Sequence, residues 1–281
     1  MCRRLKTRTI KDLTIADDFM FGAVMTEPKL CKPLLEYILN IKIERIEYPE
    51  LQKVIDERYE SKGIRLDVYV EDDKNTVYDI EIQTTGNKNL PKRMRYYQGL
   101  IDLHIINKGE DYIKLKKSFV IFICTYDPFG EGRYIYTFRN RCEENNSIIL
   151  DDDTLKVVVN ATGTNGNISA ELKDVLNYIA GGIPTTNYSK ELDKAVEEVK
   201  NDEKWRERFM KLDLRDREHE RLGEYAKTIS SIRENKDVFD ESTIIRFLKL
   251  TEDQYGRIIY YINNNPDMDN YDVAKKLLDE E

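Results

Sequence analysis

The stretch from Ile64 to Gln83 constrains this chain more than any other. Ile64, Leu66, Val68 and Val70 alternate with Arg65, Asp67 and Tyr69. After a polar break, Tyr78, Ile80 and Ile82 alternate with Asp79, Glu81 and Gln83. A period of two belongs to strands, whose successive side chains point to opposite faces, and two such runs around a short break predict a hairpin. A three-residue loop at Asp73-Lys74-Asn75 fits the break, because Asn accepts the left-handed conformation such loops use. In that register Asp67 faces Glu81 and Tyr69 faces Asp79, while Leu66 and Val68 pair with Ile82 and Ile80. One face of the hairpin is then core. The other carries an acidic cluster with an amide beside it.

The flanking segments place this hairpin in an α/β domain. Thr14 to Asp17 reads as a capping box before an apolar FMFGAVM helix, Pro28 interrupts, and Pro33 to Asn40 gives a second helix. A strand around Ile43 to Tyr48 is broken by Pro49. After the hairpin, Met94, Tyr97, Leu100, Ile101 and Ile105 recur at helical spacing, with Asn89 as the cap. Ser118 to Cys124 is an almost unbroken apolar run, the mark of a strand buried on both faces. Segments 133–139 and 155–160 read as further strands, and a helix then ends at Gly181-Gly182. The expected organisation is a basic lead-in (1–13), an α/β domain (14–186), a long charged helix (187–235) and a small helical module (236–281). The stripe on the long helix is narrow and needs a partner surface.

Composition narrows the class. Hydrophobic residues make up 40% and charged residues 35% of the 281, and no apolar run reaches the roughly 20 residues of a membrane span. No apolar stretch follows the basic N-terminus, and the four cysteines include no C-x-x-C pair, so a cytoplasmic protein without structural zinc is expected. A net charge of −8 argues against broad binding of nucleic acid but not against a local basic groove, and basic residues gather at Arg3, Arg4, Lys6 and Arg8 and at Lys88, Lys92, Arg93 and Arg95. The two histidines, His104 and His219, are too far apart in sequence and too few for a His-based metal site or a Ser-His-Asp triad. Neither glycine-rich phosphate-loop pattern occurs. Tyr96 and Tyr97 lack the Arg and His partners a nucleophilic tyrosine would need.

Asp67, Glu81 and Gln83 form the sharpest constellation. Carboxylates converging from paired strands can hold Mg²⁺, with the Ile82 carbonyl as a further oxygen ligand and phosphate and water completing the shell. Gln83 can orient a water by hydrogen bonds but cannot take its proton. By spacing alone, a solvated acidic face explains these residues better.

Together with their surroundings, LDVYV and DIEIQ resemble the core motif of the PD-(D/E)XK nucleases, and more closely that of the Rpn recombination-promoting nucleases, also called PD-(D/E)XK nuclease family transposases. Asp18-Phe19-Met20-Phe21 resembles the opening D-x-x-F, and Lys62 with Leu66-Asp67 the K-x-x-x-L-D. Arg93 and Tyr96-Tyr97 resemble the R-x-x-x-Y helix, and Gly109, Tyr112 and Leu115 the step before the buried strand. Residues 159–163, Trp205 and Met210 are similar to later segments of one branch. The resemblance implies a restriction-endonuclease-like core, a central mixed sheet flanked by helices, here with an all-α C-terminal extension. It implies Asp67 and Glu81 as Mg²⁺ or Mn²⁺ ligands, with Gln83 in the place of the motif's lysine. Asp18, Asp79 and Arg93 are secondary candidates, and Lys88, Lys92, Arg93 and Arg95 are candidate DNA contacts.

The function implied is metal-dependent hydrolysis of DNA phosphodiesters, linked to recombination, mobile elements or phage defence. The rival is a catalytically silent DNA- or protein-binding regulator on the same fold. The helices around Ile244 to Asn263 have helix-turn-helix spacing but few basic residues, which favours packing or homodimerisation over base reading.

Overall fold

The computed structural model describes residues 8–51, 54–55, 64–86 and 89–280. Residues 1–7 of the basic lead-in, with Arg3, Arg4 and Lys6, lie outside the described residues, as do Lys62 and Lys88. The chain divides into two compact units, residues 1–206 and 207–281.

The first unit is built on a mixed six-stranded sheet. In chain order, α1 (Asp18–Met25) and α2 (Pro28–Leu39) precede β1 (Ile46–Leu51), β2 (Val54–Ile55), β3 (Ile64–Arg65), β4 (Val68–Asp72) and β5 (Val77–Gln83). Then come α3 (Leu90–Ile105), β6 (Ser118–Cys124), β7 (Ile135–Phe138), β8 (Thr154–Asn160), α4 (Ala170–Ile179) and α5 (Asn187–Asn201). Strand order is β1-β4-β5-β6-β8-β7, and β2 pairs with β3 separately. The central pairs β5–β6 and β6–β8 are parallel, and the outer pairs are antiparallel. A mixed sheet flanked by helices, with an all-α extension, is consistent with the restriction-endonuclease-like core that was expected.

The hairpin forms as its alternation dictates. Val68 pairs with Ile80 and Tyr69 with Asp79. The loop is Asp73-Lys74-Asn75, closed by the Asn75 amide on the Asp72 carbonyl at 3.0 Å, with Asn75 left-handed at φ 61°. The Asp72 carboxylate holds the turn by accepting from the Lys74 and Thr76 amides and from the Tyr78 hydroxyl.

Both faces of β5 are buried, which corrects the expectation of a solvated acidic face. Tyr78, Ile80, Phe119, Ile121 and Val157 fill one face, with Tyr78 stacked on Phe119 at 5.3 Å between centroids. The opposite face carries Asp79, Glu81 and Gln83 in register with Val120, Phe122 and Cys124, and α3 covers it through Leu90, Met94, Tyr97 and Ile101. A βαβ crossover requires such a covering helix, because parallel neighbours cannot be joined by a tight turn.

Three local expectations change. Pro49 does not end β1; it falls where the β1–β4 register shifts between Glu47 and Glu50. β1 is an edge strand, where a bulge absorbs the missing N–H of proline. α2 starts at Pro28 and carries Pro33 inside it, ending at left-handed Asn40. The stretch read as one charged helix is two, α5 and α6 (Glu203–Asn235), separated by Asp202 in extended backbone. The Asp202 carboxylate accepts the Trp205 amide at 2.9 Å, so it serves as an N-cap and starts a new helix. The stripe Leu192, Val196 and Val199 of α5 is buried, and α5 packs on α1, α2 and α4. Trp205 meets Phe19 edge-on, with centroids 6.0 Å apart.

In the second unit, α6 from residue 207 onward packs with α7 (Glu241–Leu248), α8 (Glu252–Asn264) and α9 (Asn270–Asp279). Ile229, Ile232, Ile244, Ile258, Ile262 and Leu277 form their core. Thr251 and Gln254 make a capping box at the start of α8, with reciprocal bonds of 3.1 and 3.0 Å. Among the described residues no helix is long and apolar enough to cross a membrane.

Candidate active site

The β4–β5 ladder stops at Val68–Ile80, and the backbone bends at Asp67. Where the next ladder bonds would form, side chains replace them. The Asp67 amide donates to Glu81 Oε1 at 2.9 Å, and the Ile82 amide donates to Asp67 Oδ2 at 3.0 Å. The two carboxylates are thereby tied to each other's strands. The N–H and C=O of one strand residue point towards the same neighbour, so the Ile82 carbonyl turns to the Asp67 edge as well.

The pair is withdrawn from solvent: Asp67, Asp79 and Glu81 are 5, 0 and 3% exposed. Burial pushes the Glu81 carboxyl well above its ordinary range, helped by the charges of Asp67 and Asp79 and opposed by the Asp67 amide and Arg93. Burial also raises the Asp79 carboxyl, with Asp67 adding to the shift. Neither Asp79 oxygen meets an amide or hydroxyl donor, and the Glu81 carboxyl beside it offsets part of the shift. A proton shared with Glu81 would supply a donor.

Among the described side chains, the Arg93 guanidinium acts on both Asp79 and Glu81. Arg93 projects from the first turn of α3, with Nη2 3.7 Å from Glu81 Oε2. The same Nη2 donates to the Tyr97 hydroxyl at 2.9 Å, and Nη1 donates to Gln83 Oε1. The guanidinium carbon lies 5.1 Å from the Phe122 ring centroid and 5.4 Å from that of Tyr97. The Tyr97 hydroxyl, buried and near Glu81, is pushed up to about 12. Gln83 completes the set: its Nε2 donates to the Thr85 carbonyl and hydroxyl at 2.9 and 3.0 Å.

The structure thus brings together Asp67, Asp79, Glu81, Gln83 and Arg93. The other described candidates are exposed. Asp18 is exposed at the start of α1, with Oδ1 accepting the Phe19 amide at 2.7 Å. Lys92, Arg95 and His104 are exposed on α3. Phe122 and Thr85 are contributors that sequence reasoning missed, and Tyr97 entered it only as helix core and as part of the R-x-x-x-Y resemblance. The i, i+4 spacing of Arg93 and Tyr97 is the one signal that pointed to their contact, since it puts both on one helix face.

Divalent-metal fit rests on this donor set. Among the described residues no three His, Cys, Asp or Glu side chains form a metal-ligand group. Two adjacent buried carboxylates and a strand carbonyl do suit a hard cation whose remaining ligands are water and phosphate, as Mg²⁺ prefers. The orphaned Asp79 oxygens mark the same place as short of positive charge.

Residues 16–153 match the family model described as PD-(D/E)XK nuclease family transposase. No curated protein and no solved structure matches the chain.

Proposed function

We propose, from the premise that residues 16–153 form a PD-(D/E)XK nuclease family transposase domain, that this protein is a metal-dependent DNA endonuclease. It hydrolyses phosphodiester bonds in settings of recombination, mobile elements or phage defence. The observation that carries the reading is the buried Asp67–Glu81 pair at the point where the β4–β5 ladder ends. Acids are costly to bury unless a cation compensates them, and a site of net negative charge where two strands part is suited to a divalent ion.

Asp67, Glu81 and the Ile82 carbonyl would hold Mg²⁺ or Mn²⁺, which offsets charge on a phosphate and makes a nearby water more acidic. The chain's own residues prepare the rest. The amides of Asp67 and Ile82 fix the carboxylate rotamers, and the cover of α3 keeps bulk water from the buried part of the site. Exposed Lys92 and Arg95 would contact the DNA backbone, as would Lys88, and the C-terminal helices would pair two copies so that both strands can be cut.

The test is nicking of supercoiled plasmid by the purified chain in Mg²⁺ and in Mn²⁺. Asp67→Ala and Glu81→Ala are each expected to lower the rate by at least about a hundredfold while the circular dichroism spectrum is retained. Unchanged cleavage in both variants would rule out the site.

A second reading is favoured by Gln83. Its amide has no basic group, and both of its ends are engaged by Arg93 and Thr85. A catalytically silent DNA- or protein-binding regulator would keep this arrangement for structure. Wild-type protein that binds DNA with a steep salt dependence, yet never nicks it in either metal, would establish that reading.

A further inference from the structure

Position 83 poses a specific problem: the residue two places after Glu81 is an amide where the family motif has a cation. The structure surrounds that amide in a way that fixes its direction. Nε2 is engaged by both Thr85 oxygens, at 2.9 and 3.0 Å, so Oε1 faces Arg93 and accepts from Nη1. Reversing the amide would set its NH₂ against the guanidinium and leave the Thr85 acceptors facing oxygen. Gln83 is therefore an oriented acceptor, and Arg93 is what it orients.

Arg93 is also fixed from its other sides. Its Nη2 is bonded to the Tyr97 hydroxyl at 2.9 Å, and Phe122 and Tyr97 lie under the guanidinium carbon. Held this way, the guanidinium lies 3.7 Å from Glu81 Oε2. It still keeps 30% of its side-chain surface open to solvent, whereas Glu81 keeps only 3%. A group arriving from solvent can thus reach Arg93 at the edge of the carboxylate pair. A planar fork of N–H donors pairs with two oxygens of one phosphate, which a lysine ammonium cannot match in geometry.

We infer that the cation of this site has moved from strand to helix: Arg93 contacts the phosphate group undergoing hydrolysis, and Gln83 is the positioning residue that aims it. This rests on the nuclease reading for the identity of the phosphate. It reverses the simplest expectation for Gln83→Lys, because an ammonium at position 83 would stand against a guanidinium already there and displace it.

The experiment uses the full-length chain and three readouts: Mn²⁺ affinity by calorimetry, affinity for a labelled DNA duplex in Ca²⁺ across a salt series, and plasmid nicking in Mn²⁺. The variants are Arg93→Gln, Arg93→Lys, Gln83→Lys and the exchange Gln83→Lys/Arg93→Gln, each checked by its melting curve. Arg93→Gln is expected to leave Mn²⁺ affinity equal or higher, since it removes a positive charge beside Glu81. It should weaken DNA binding about tenfold, lower the salt slope by about one and cut the nicking rate about a hundredfold. Arg93→Lys should recover part of the DNA affinity but little of the rate. Gln83→Lys alone should nick more slowly than wild type, and the exchange variant should nick faster than Arg93→Gln.

A change of less than about twofold in both DNA affinity and rate for Arg93→Gln overturns the assignment, as does faster nicking by Gln83→Lys with Arg93 in place. An exchange variant that folds but nicks no faster than Arg93→Gln overturns the idea that the cation has moved. Failure of the nuclease reading looks different: wild type would then neither bind Mn²⁺ through Asp67 and Glu81 nor nick DNA. In that case the DNA affinity and salt slope of Arg93→Gln still decide whether Arg93 contacts phosphate.

Discussion

Asp79 has no exposed surface, and in its ionised form neither oxygen meets a donor. Its folded carboxyl is raised by burial, while in the unfolded chain it titrates near its ordinary value of about 3.9. For an acid raised on folding, the favourable contribution is complete below the unfolded value and is lost as pH rises towards the folded one. The metal-free protein should therefore lose stability from about pH 4 upward at this residue. Asp79→Asn removes that slope and is expected to stabilise the metal-free chain by about 1–3 kcal/mol at pH 8, with little effect at pH 4. Urea unfolding at the two pH values checks it, and an equal change at both would be inconsistent with the cause. At this scale the sequence was half legible. Alternation brought Asp67, Glu81 and Gln83 to one face, because side-chain period in a strand is local. The bond between Gln83 and Arg93 joins a strand to a helix across a loop, and nothing in the spacing specifies it.

Elements followed the same rule. The hairpin loop and the apolar β6 run were readable because each is decided within a few residues. The break between α5 and α6 was not, because Asp202 looks like any acid of a charged helix until its carboxylate is seen on the Trp205 amide. Pro49 misled for the opposite reason: its effect depends on β1 lying at the sheet edge, which only the finished topology decides. Close approach of elements sets a further constraint at Gly163, just beyond β8. A Cβ there would lie 2.7 Å from the Tyr134 Cα and 2.8 Å from its nitrogen. That backbone cannot yield easily, since the Tyr134 amide donates to the Asn165 carbonyl at 3.0 Å and its own carbonyl accepts the Asn160 amide at 2.8 Å. Gly163→Ala is expected to cost about 1–3 kcal/mol, read as a lower denaturation midpoint at unchanged slope.

Across the whole molecule, each unit has a core of its own, and the expected unfolding is correspondingly divided. Ile258 is 1% exposed in the helical unit, and Ile258→Ala should cost that unit about 2–4 kcal/mol. Plasmid nicking, proposed for the other unit, should persist at temperatures below the new transition. The chain carries a built-in means of telling the two events apart. Its single tryptophan, Trp205, lies in the first unit with its ring against Phe19. Indole emission therefore reports on the Trp205–Phe19 contact of the first unit, whereas the helical ellipticity at 222 nm sums both units. In Ile258→Ala the ellipticity should fall in a new early step while the emission maximum stays where it was, so one unlabelled sample yields two separate melting curves.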